Sequence, residues 1–315
     1  MKILIAGGAG YIGSALIPRL LDRGYEIDVI DLLWFGNYLP KEARIMQKDI
    51  FKLEEKDLKG YGQVIFLAGL SNDPMAEFSP GKNFISNAAA PAYLAYLAKR
   101  AGVKRFIYAG SCSVYGYTVN ELYDESSPAV SHYPYGISKL QGEQAAMYLT
   151  DEKFSVICFR QGTVCGYSPR MRLDLVVNTM FKTAMQSKTI TVNNPAIWRP
   201  ILSIPDAVSA YIRAIEANEE LSGIFNIASG NYTLGDVVRA CIEAELQIEI
   251  GLAIKYMDDI RNYKVNIERA KNVLSFKPKH DAESIVKDLI ENREKFKDYD
   301  NPKYYNIQVF KSLHD

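Results

Sequence analysis

Tyr135 and Lys139 stand four residues apart in Tyr135-Gly136-Ile137-Ser138-Lys139. That spacing puts both side chains on one face of a helix. An ammonium group beside a phenol favours the phenolate and lowers the tyrosine pKa. Such a tyrosine can take the proton of an alcohol as a general base and return it in the reverse direction. Ser111 ends a short apolar run, where its hydroxyl can orient the oxygen that loses the proton. Taken alone, a Tyr/Lys pair of this kind is an ordinary solvated helix face. Its distance behind a glycine-rich segment gives it weight.

That segment is Gly7-Gly8-Ala9-Gly10-Tyr11-Ile12-Gly13, which follows an apolar strand and opens a helix. Gly7, Gly10 and Gly13 give G-x-x-G-x-x-G spacing. Small residues let the backbone turn tightly and let a pyrophosphate approach the helix N-terminus, where free N–H groups and the helix dipole favour anions. Asp31 ends the next strand, where a carboxylate can hold the ribose hydroxyls of a dinucleotide. It would repel a 2′-phosphate, and Leu32, Leu33 and Trp34 add no cation, so NAD is favoured over NADP. A cationic nicotinamide near Tyr135 would further favour its phenolate.

These residues need a particular scaffold. Lys2–Ala6, Glu26–Asp31, Gln63–Leu67, Arg105–Ala109 and Ser155–Phe159 read as strands. Tyr11–Arg23, Asn83–Ala101 and Tyr135–Leu149 read as helices between them. The alternation predicts an α/β fold: a Rossmann-type doubly wound parallel sheet with its ligand crevice at the carboxyl ends of the strands. After residue 165 the alternation weakens. Met171–Ser187, Asp206–Ala217, Leu234–Ala244 and Ala282–Phe296 read as helical, Ile190–Val192 as extended, and Ile224–Ile227 as a strand returning to the main sheet. The expected organisation is a dinucleotide-binding domain over 1–165, with returning segments near 200–228, and a smaller interleaved substrate-binding lobe over 166–315.

The bulk composition excludes several other classes. Lysine plus arginine and aspartate plus glutamate both number 37, so net charge gives no reason to expect nucleic acid or an anionic membrane as partner. No signal peptide or membrane-length apolar run is visible. Cys112, Cys158, Cys165 and Cys241 show no C-x-x-C spacing, and His132, His280 and His314 are scattered, so no metal site is expected. Four unpatterned cysteines fit a reducing, cytoplasmic setting.

The chain resembles the extended short-chain dehydrogenase/reductase group, in its NDP-sugar epimerase/dehydratase family, over essentially its whole length. The carriers are GGAGYIG at 7–13, VIFLAG at 64–69, GSCSVYG at 110–116, YGISK at 135–139, RPILSIPDA at 199–207 and DIRNYKVN at 259–266. The resemblance implies that Ser111, Tyr135 and Lys139 are catalytic. It places Gly7, Gly10, Tyr11, Ile12, Gly13, Asp31, Leu67, Ala68, Gly69, Asn87, Thr163 and Val164 along the NAD, with Asp49 and Ile50 at the adenine. Leu67 to Gly69 would line a strand end in any such sheet, and Asp49 can equally cap a turn. The family also implies an NDP-sugar substrate and a homodimer paired through the helices at 83–101 and 135–149.

A diphosphate needs cations in a partly enclosed cleft. Arg172, in the segment that begins the second lobe, is one candidate. Arg199 and Arg261 match positions that bind diphosphate or ribose in similar enzymes, with Asn178 and Tyr263 as lesser candidates. Ser71 and Asn72 follow the VIFLAG strand and would touch the sugar or form an Asx-type turn. Family 4,6-dehydratases carry an aspartate and a glutamate where Cys112 and Ser113 stand. The same two residues then line the substrate pocket without supplying an acid/base pair. Thr163 stands where many epimerases have a substrate-contacting asparagine. The reading reached from these residues is oxidation at C4 of an NDP-sugar through a 4-keto intermediate, with 4-epimerisation favoured. A net 4-dehydrogenase or 4-keto reductase needs the same residues. A non-catalytic NAD-binding sensor remains the reading from another class.

Overall fold

A computed structural model describes residues 1–243, 251–255 and 262–313. Its centre is a wholly parallel seven-stranded sheet. The strands are β1 (Lys2–Ala6), β2 (Glu26–Asp31), β3 (Arg44–Gln47), β4 (Gln63–Phe66), β5 (Arg105–Ala109), β6 (Ser155–Gln161) and β7 (Gly223–Ile227), in the spatial order β7-β6-β5-β4-β1-β2-β3. Strand order reverses between β1 and β4, which opens the crevice of a doubly wound sheet at that point.

The apolar runs explain the two covered faces. Side chains alternate across a strand, so both faces of these runs are apolar and both are buried. Ile3, Ile5, Ile65 and Ile107 enter one core; Leu4, Val64, Phe66, Phe106 and Tyr108 enter the other. Helices α1 (Gly13–Leu21) and α6 (Ile204–Glu216) cover the first face. Helices α3 (Ala90–Arg100) and α4 (Pro134–Tyr148) cover the second. The short helix α2 (Asp73–Phe78) follows β4, α5 (Val176–Ser187) belongs to the second half, and α7 (Asn306–Ser312) lies back against α2.

Two expected helices differ from their sequence reading. The stretch at 83–101 is interrupted by a π-helical turn at Ile85–Ala89. Pro91 has no N–H to give the carbonyl of Asn87, and the Tyr108 hydroxyl donates to that carbonyl instead, at 3.0 Å. The stretch at 171–187 is helical only from Val176, after Leu175 in extended conformation. Arg172 and Asp174 are locked in a bidentate ion pair upstream of it.

Further strands build the smaller sheets; of these the sequence reading held only the extended stretch at Ile190–Val192, which lies within Thr189–Asn193. Trp198–Ser203 lies antiparallel to Gly230–Thr233 and parallel to Thr163–Cys165. Tyr117–Tyr123 pairs with Asn262–Val265, and Thr189–Asn193 with Gly251–Lys255. No helix among the described residues is long and apolar enough to cross a membrane.

Candidate active site

The glycine turn sits at the carboxyl end of β1, pressed against the end of β4. Gly7 has φ +76°, and a Cβ there would fall 2.4 Å from the Ala68 backbone nitrogen. At Gly13 a Cβ would meet the carbonyl of Gly8 at 2.2 Å, so α1 can start only with glycine. Asp31 faces this turn. Its carboxylate accepts the N–H groups of Ala9 (3.0 Å) and Leu33 (2.8 Å). Burial raises its pKa, against the pull of these donors and of Arg170. Asp49 caps the short helical turn Ile50–Lys52 by accepting the Phe51 N–H at 2.9 Å, and Ile50 packs on the second core. Leu67 donates its N–H to Ala6 at 2.8 Å, which holds the ends of β1 and β4 level.

Ser111 follows β5, accepts the Ser113 N–H at 3.1 Å, and lies near enough to the Tyr135 phenol to pull its pKa down. Pro134 starts α4 and fixes the entry of Tyr135 into the helix. One turn on, the buried Lys139 ammonium donates to the Ala109 carbonyl at 2.9 Å and lies 5.9 Å from the centre of the Tyr135 ring. Burial lowers the Lys139 pKa to about 7. Burial, with Asp73 adding to it, pushes the Tyr135 phenol up, while Ser111 and Arg172 pull the other way. The lowered tyrosine pKa expected from the sequence is therefore not found in the cofactor-free chain. Both groups are desolvated, and the lysine donates its hydrogen bond to backbone.

Asn87 lies on the π-helical turn, wholly buried, and donates to the Leu70 carbonyl (2.9 Å) and to Asn83 (2.7 Å). Its Oδ1 is buried without a hydrogen-bond donor and lies against Gly69. On the far side of the crevice the Ser113 hydroxyl is 3.4 Å from the Tyr263 hydroxyl, and the Arg199 guanidinium stands 5.7 Å from the Tyr263 ring centre. Thr163 and Val164 are half-buried on the strand paired with Ile201–Ser203. Arg261 lies outside the described residues.

Five expected substrate contacts are otherwise engaged. The Cys112 thiol is fully buried and donates to the Arg160 carbonyl at 3.1 Å, so it points into the protein and not into the crevice. Asn178 is fully buried as well, and its amide serves the Arg172 carbonyl, the Tyr11 hydroxyl and the Gly166 N–H. Asn72 caps α2 and donates to Asp174 at 3.1 Å, which is the Asx-turn reading of that segment. Ser71 accepts from Asn306 at 2.6 Å. Arg172 is buried and paired to Asp174 through two nitrogens, at 2.8 and 3.1 Å.

Sequence reasoning missed Asp174, Arg170 and Asn306. Arg170 packs over the Phe35 ring at 3.7 Å and donates to Asn306, while its buried Nε finds no acceptor. The glycine cradle, the oriented Asp31 and the orphaned Asn87 Oδ1 and Arg170 Nε together fit a dinucleotide laid across β1 and β4. Among the described residues no group of acids, histidines and cysteines could hold a metal ion.

Residues 3–228 match the model of the NAD dependent epimerase/dehydratase family. A UDP-glucose 4-epimerase of Corynebacterium glutamicum is 27% identical over 311 residues, covering 91% of this chain and 94% of that protein. UDP-glucuronic acid decarboxylase 3 of Arabidopsis thaliana is 27% identical over 299 residues, 89% of this chain and 85% of that one. Among solved structures, MoeE5 in complex with UDP-glucuronic acid and NAD superposes with a TM-score of 0.84 at 24% identity, covering 94% of this chain and 99% of that chain. The fold, the glycine turn and the family match agree: the chain belongs to the NAD dependent epimerase/dehydratase family.

Proposed function

We propose that the protein oxidises C4 of a nucleotide-diphosphate sugar to a 4-keto intermediate and completes the cycle as an NDP-sugar 4-epimerase. The observation that carries this reading is Tyr135 and Lys139 on one face of α4 at the end of β5, with the Lys139 ammonium 5.9 Å from the centre of the Tyr135 ring and anchored on the Ala109 carbonyl at 2.9 Å. NAD, when bound, supplies a reversible hydride acceptor for C4. Tyr135 takes the proton of the 4-hydroxyl, and Ser111 holds that oxygen. Lys139, one turn along the same helix, is the cation that favours the phenolate. Arg199 is positioned for the diphosphate, beside Tyr263.

Two features support 4-epimerisation over elimination of water. Cys112 is turned into the core, and Ser113 is held by Tyr263, so neither supplies an acid/base pair at C5 and C6. The near-full-length likeness to a UDP-glucose 4-epimerase points the same way. A net 4-dehydrogenase or 4-keto reductase would use the same three residues and differs only in whether the cofactor leaves changed. The second half forms the sugar-binding lobe in this reading, and the working unit is a homodimer.

The test is to incubate the purified protein with a panel of UDP-, GDP- and dTDP-hexoses. Proton NMR of the sugar and absorbance at 340 nm are followed together. A C4-epimer with no net nicotinamide reduction supports the epimerase. Stoichiometric NADH with a released keto sugar assigns the dehydrogenase instead.

A further inference from the structure

Helix α7 lies where it can decide whether the dinucleotide leaves. Phe310 is fully buried and packs with Leu70 and Met75, which follow β4, and with Trp34, which follows β2, at 5.8 Å between ring centres. Phe78 of α2 meets the same ring edge-on at 6.0 Å. In the sheet β1 lies between β4 and β2. A helix packed on the loops after both of those strands therefore bridges the glycine turn that follows β1.

Asn306, at the start of α7, ties the same helix to the crevice by hydrogen bonds. It is buried, donates Nδ2 to the Ser71 hydroxyl at 2.6 Å, accepts from the Arg170 guanidinium at 2.5 Å, and donates its N–H to Asp174 at 3.2 Å. Arg170 in turn gives its backbone N–H to Ser14 on α1 at 3.1 Å, and the neighbouring Ser168 donates to the Tyr11 carbonyl in the glycine turn at 2.6 Å. The residues from Ser71 to Tyr11 are thus joined over the top of β1 by one polar chain with Asn306 in its middle. The aromatic packing of Phe310 and Trp34 lies beside it.

We propose that Asn306 and Phe310 are cofactor-retaining positioning residues. Through them α7 closes the crevice over the dinucleotide and makes it a resident group that does not exchange between turnovers. This rests on the epimerase reading for its purpose, since a closed redox cycle needs no exchange, but its test does not depend on that reading.

Bound NADH is chased with excess NAD⁺, and its release is followed by nicotinamide fluorescence in the full chain and in Asn306→Ala, Phe310→Ala and Ser71→Ala. Release is expected to quicken at least tenfold in Asn306→Ala and Phe310→Ala, and severalfold in Ser71→Ala. Far-UV circular dichroism should show the same fold in each. Should Phe310→Ala not fold, Asn306→Ala and Ser71→Ala decide alone, because each removes polar atoms without emptying the aromatic cluster. Release rates within twofold of the unaltered chain in the folded variants overturn the proposal, as does an unaltered chain that loses its NADH within one turnover time. Slow release from a protein that makes no epimer leaves the retaining role intact and removes the epimerase reading. Epimer formation with fast release does the reverse.

Discussion

Lys139 donates an ammonium N–H to the Ala109 carbonyl at 2.9 Å and stands 5.9 Å from the centre of the Tyr135 ring. The strand end, rather than the phenol, holds the charge in the cofactor-free chain. Burial takes the lysine pKa down to about 7. An unfolded lysine titrates near about 10.4. Between these values the unfolded chain binds more protons than the folded one, so this group makes stability rise with pH from 7 upwards, by at most about 1.4 kcal/mol per pH unit. Its penalty is largest below pH 7. Cofactor-free Lys139→Met is therefore expected to melt above the unaltered chain at pH 7, with the gap closing towards pH 9. Calorimetric melting at pH 7, 8 and 9 checks this; a gap that does not change with pH contradicts it.

Tyr135 and Ser111 divide one task. Removing the phenolic oxygen takes away the proton acceptor, and general acid–base groups contribute roughly 10²- to 10⁴-fold. Tyr135→Phe is expected to lose turnover by about that factor while binding NAD and sugar nucleotide as before. Ser111→Ala keeps the acceptor and loses only the hydroxyl that orients the substrate oxygen, so its loss should be smaller, about 10- to 100-fold. Single-turnover kinetics on both variants test the order; equal turnover in Tyr135→Phe and the unaltered chain would show that the protein binds without catalysing.

Much of this site was legible because its residues are local in sequence. Gly7, Gly13, Tyr135 and Lys139 lie within short segments whose spacing alone implies a turn or a helix face. Asp31 was legible because it ends an apolar run of fixed length. Asn306 and Asp174 were not, because they meet 132 residues apart and no periodicity links them. Cys112 was placed at the substrate by its position in the family motif, but in the helical turn after Ser111 its thiol turns to the Arg160 carbonyl. The π-helical turn did leave a signal: a proline four residues after Asn87 guarantees one missing helix hydrogen bond.

Asp31 should set the cofactor. Its two oxygens already hold the Ala9 and Leu33 N–H groups, which fixes the carboxylate towards the glycine turn. A 2′-phosphate would meet that charge in a site where burial has removed much of the screening water. The unaltered chain is expected to bind NAD over NADP by at least about tenfold, equal to about 1.4 kcal/mol. Asp31→Asn should narrow the ratio, chiefly by weakening NAD. Competition between the two nucleotides, read by calorimetry, gives both ratios, and a preference for NADP in the unaltered chain would remove the assigned role of Asp31.

The Arg172–Asp174 pair anchors the starts of two helices, since the Asn72 amide and the Asn306 N–H both donate to Asp174. Burial alone would raise the Asp174 pKa, but the Arg172 ion pair and hydrogen bonds, with the Asn306 N–H, hold it below the usual carboxylate value. Because the folded value is the lower one, its contribution is complete above the unfolded value of about 3.9 and is lost as pH falls through the folded value. Asp174→Asn leaves the Arg172 charge buried without its partner, which costs on the order of 3–5 kcal/mol. Arg172→Met combined with Asp174→Asn should cost less than Asp174→Asn alone, since no charge is then stranded. Urea unfolding at pH 7, 5 and 3 should show the gap between the unaltered chain and Asp174→Asn intact at pH 7 and 5 and reduced at pH 3. A gap of the same size at all three would mean that Asp174 acts through packing rather than charge.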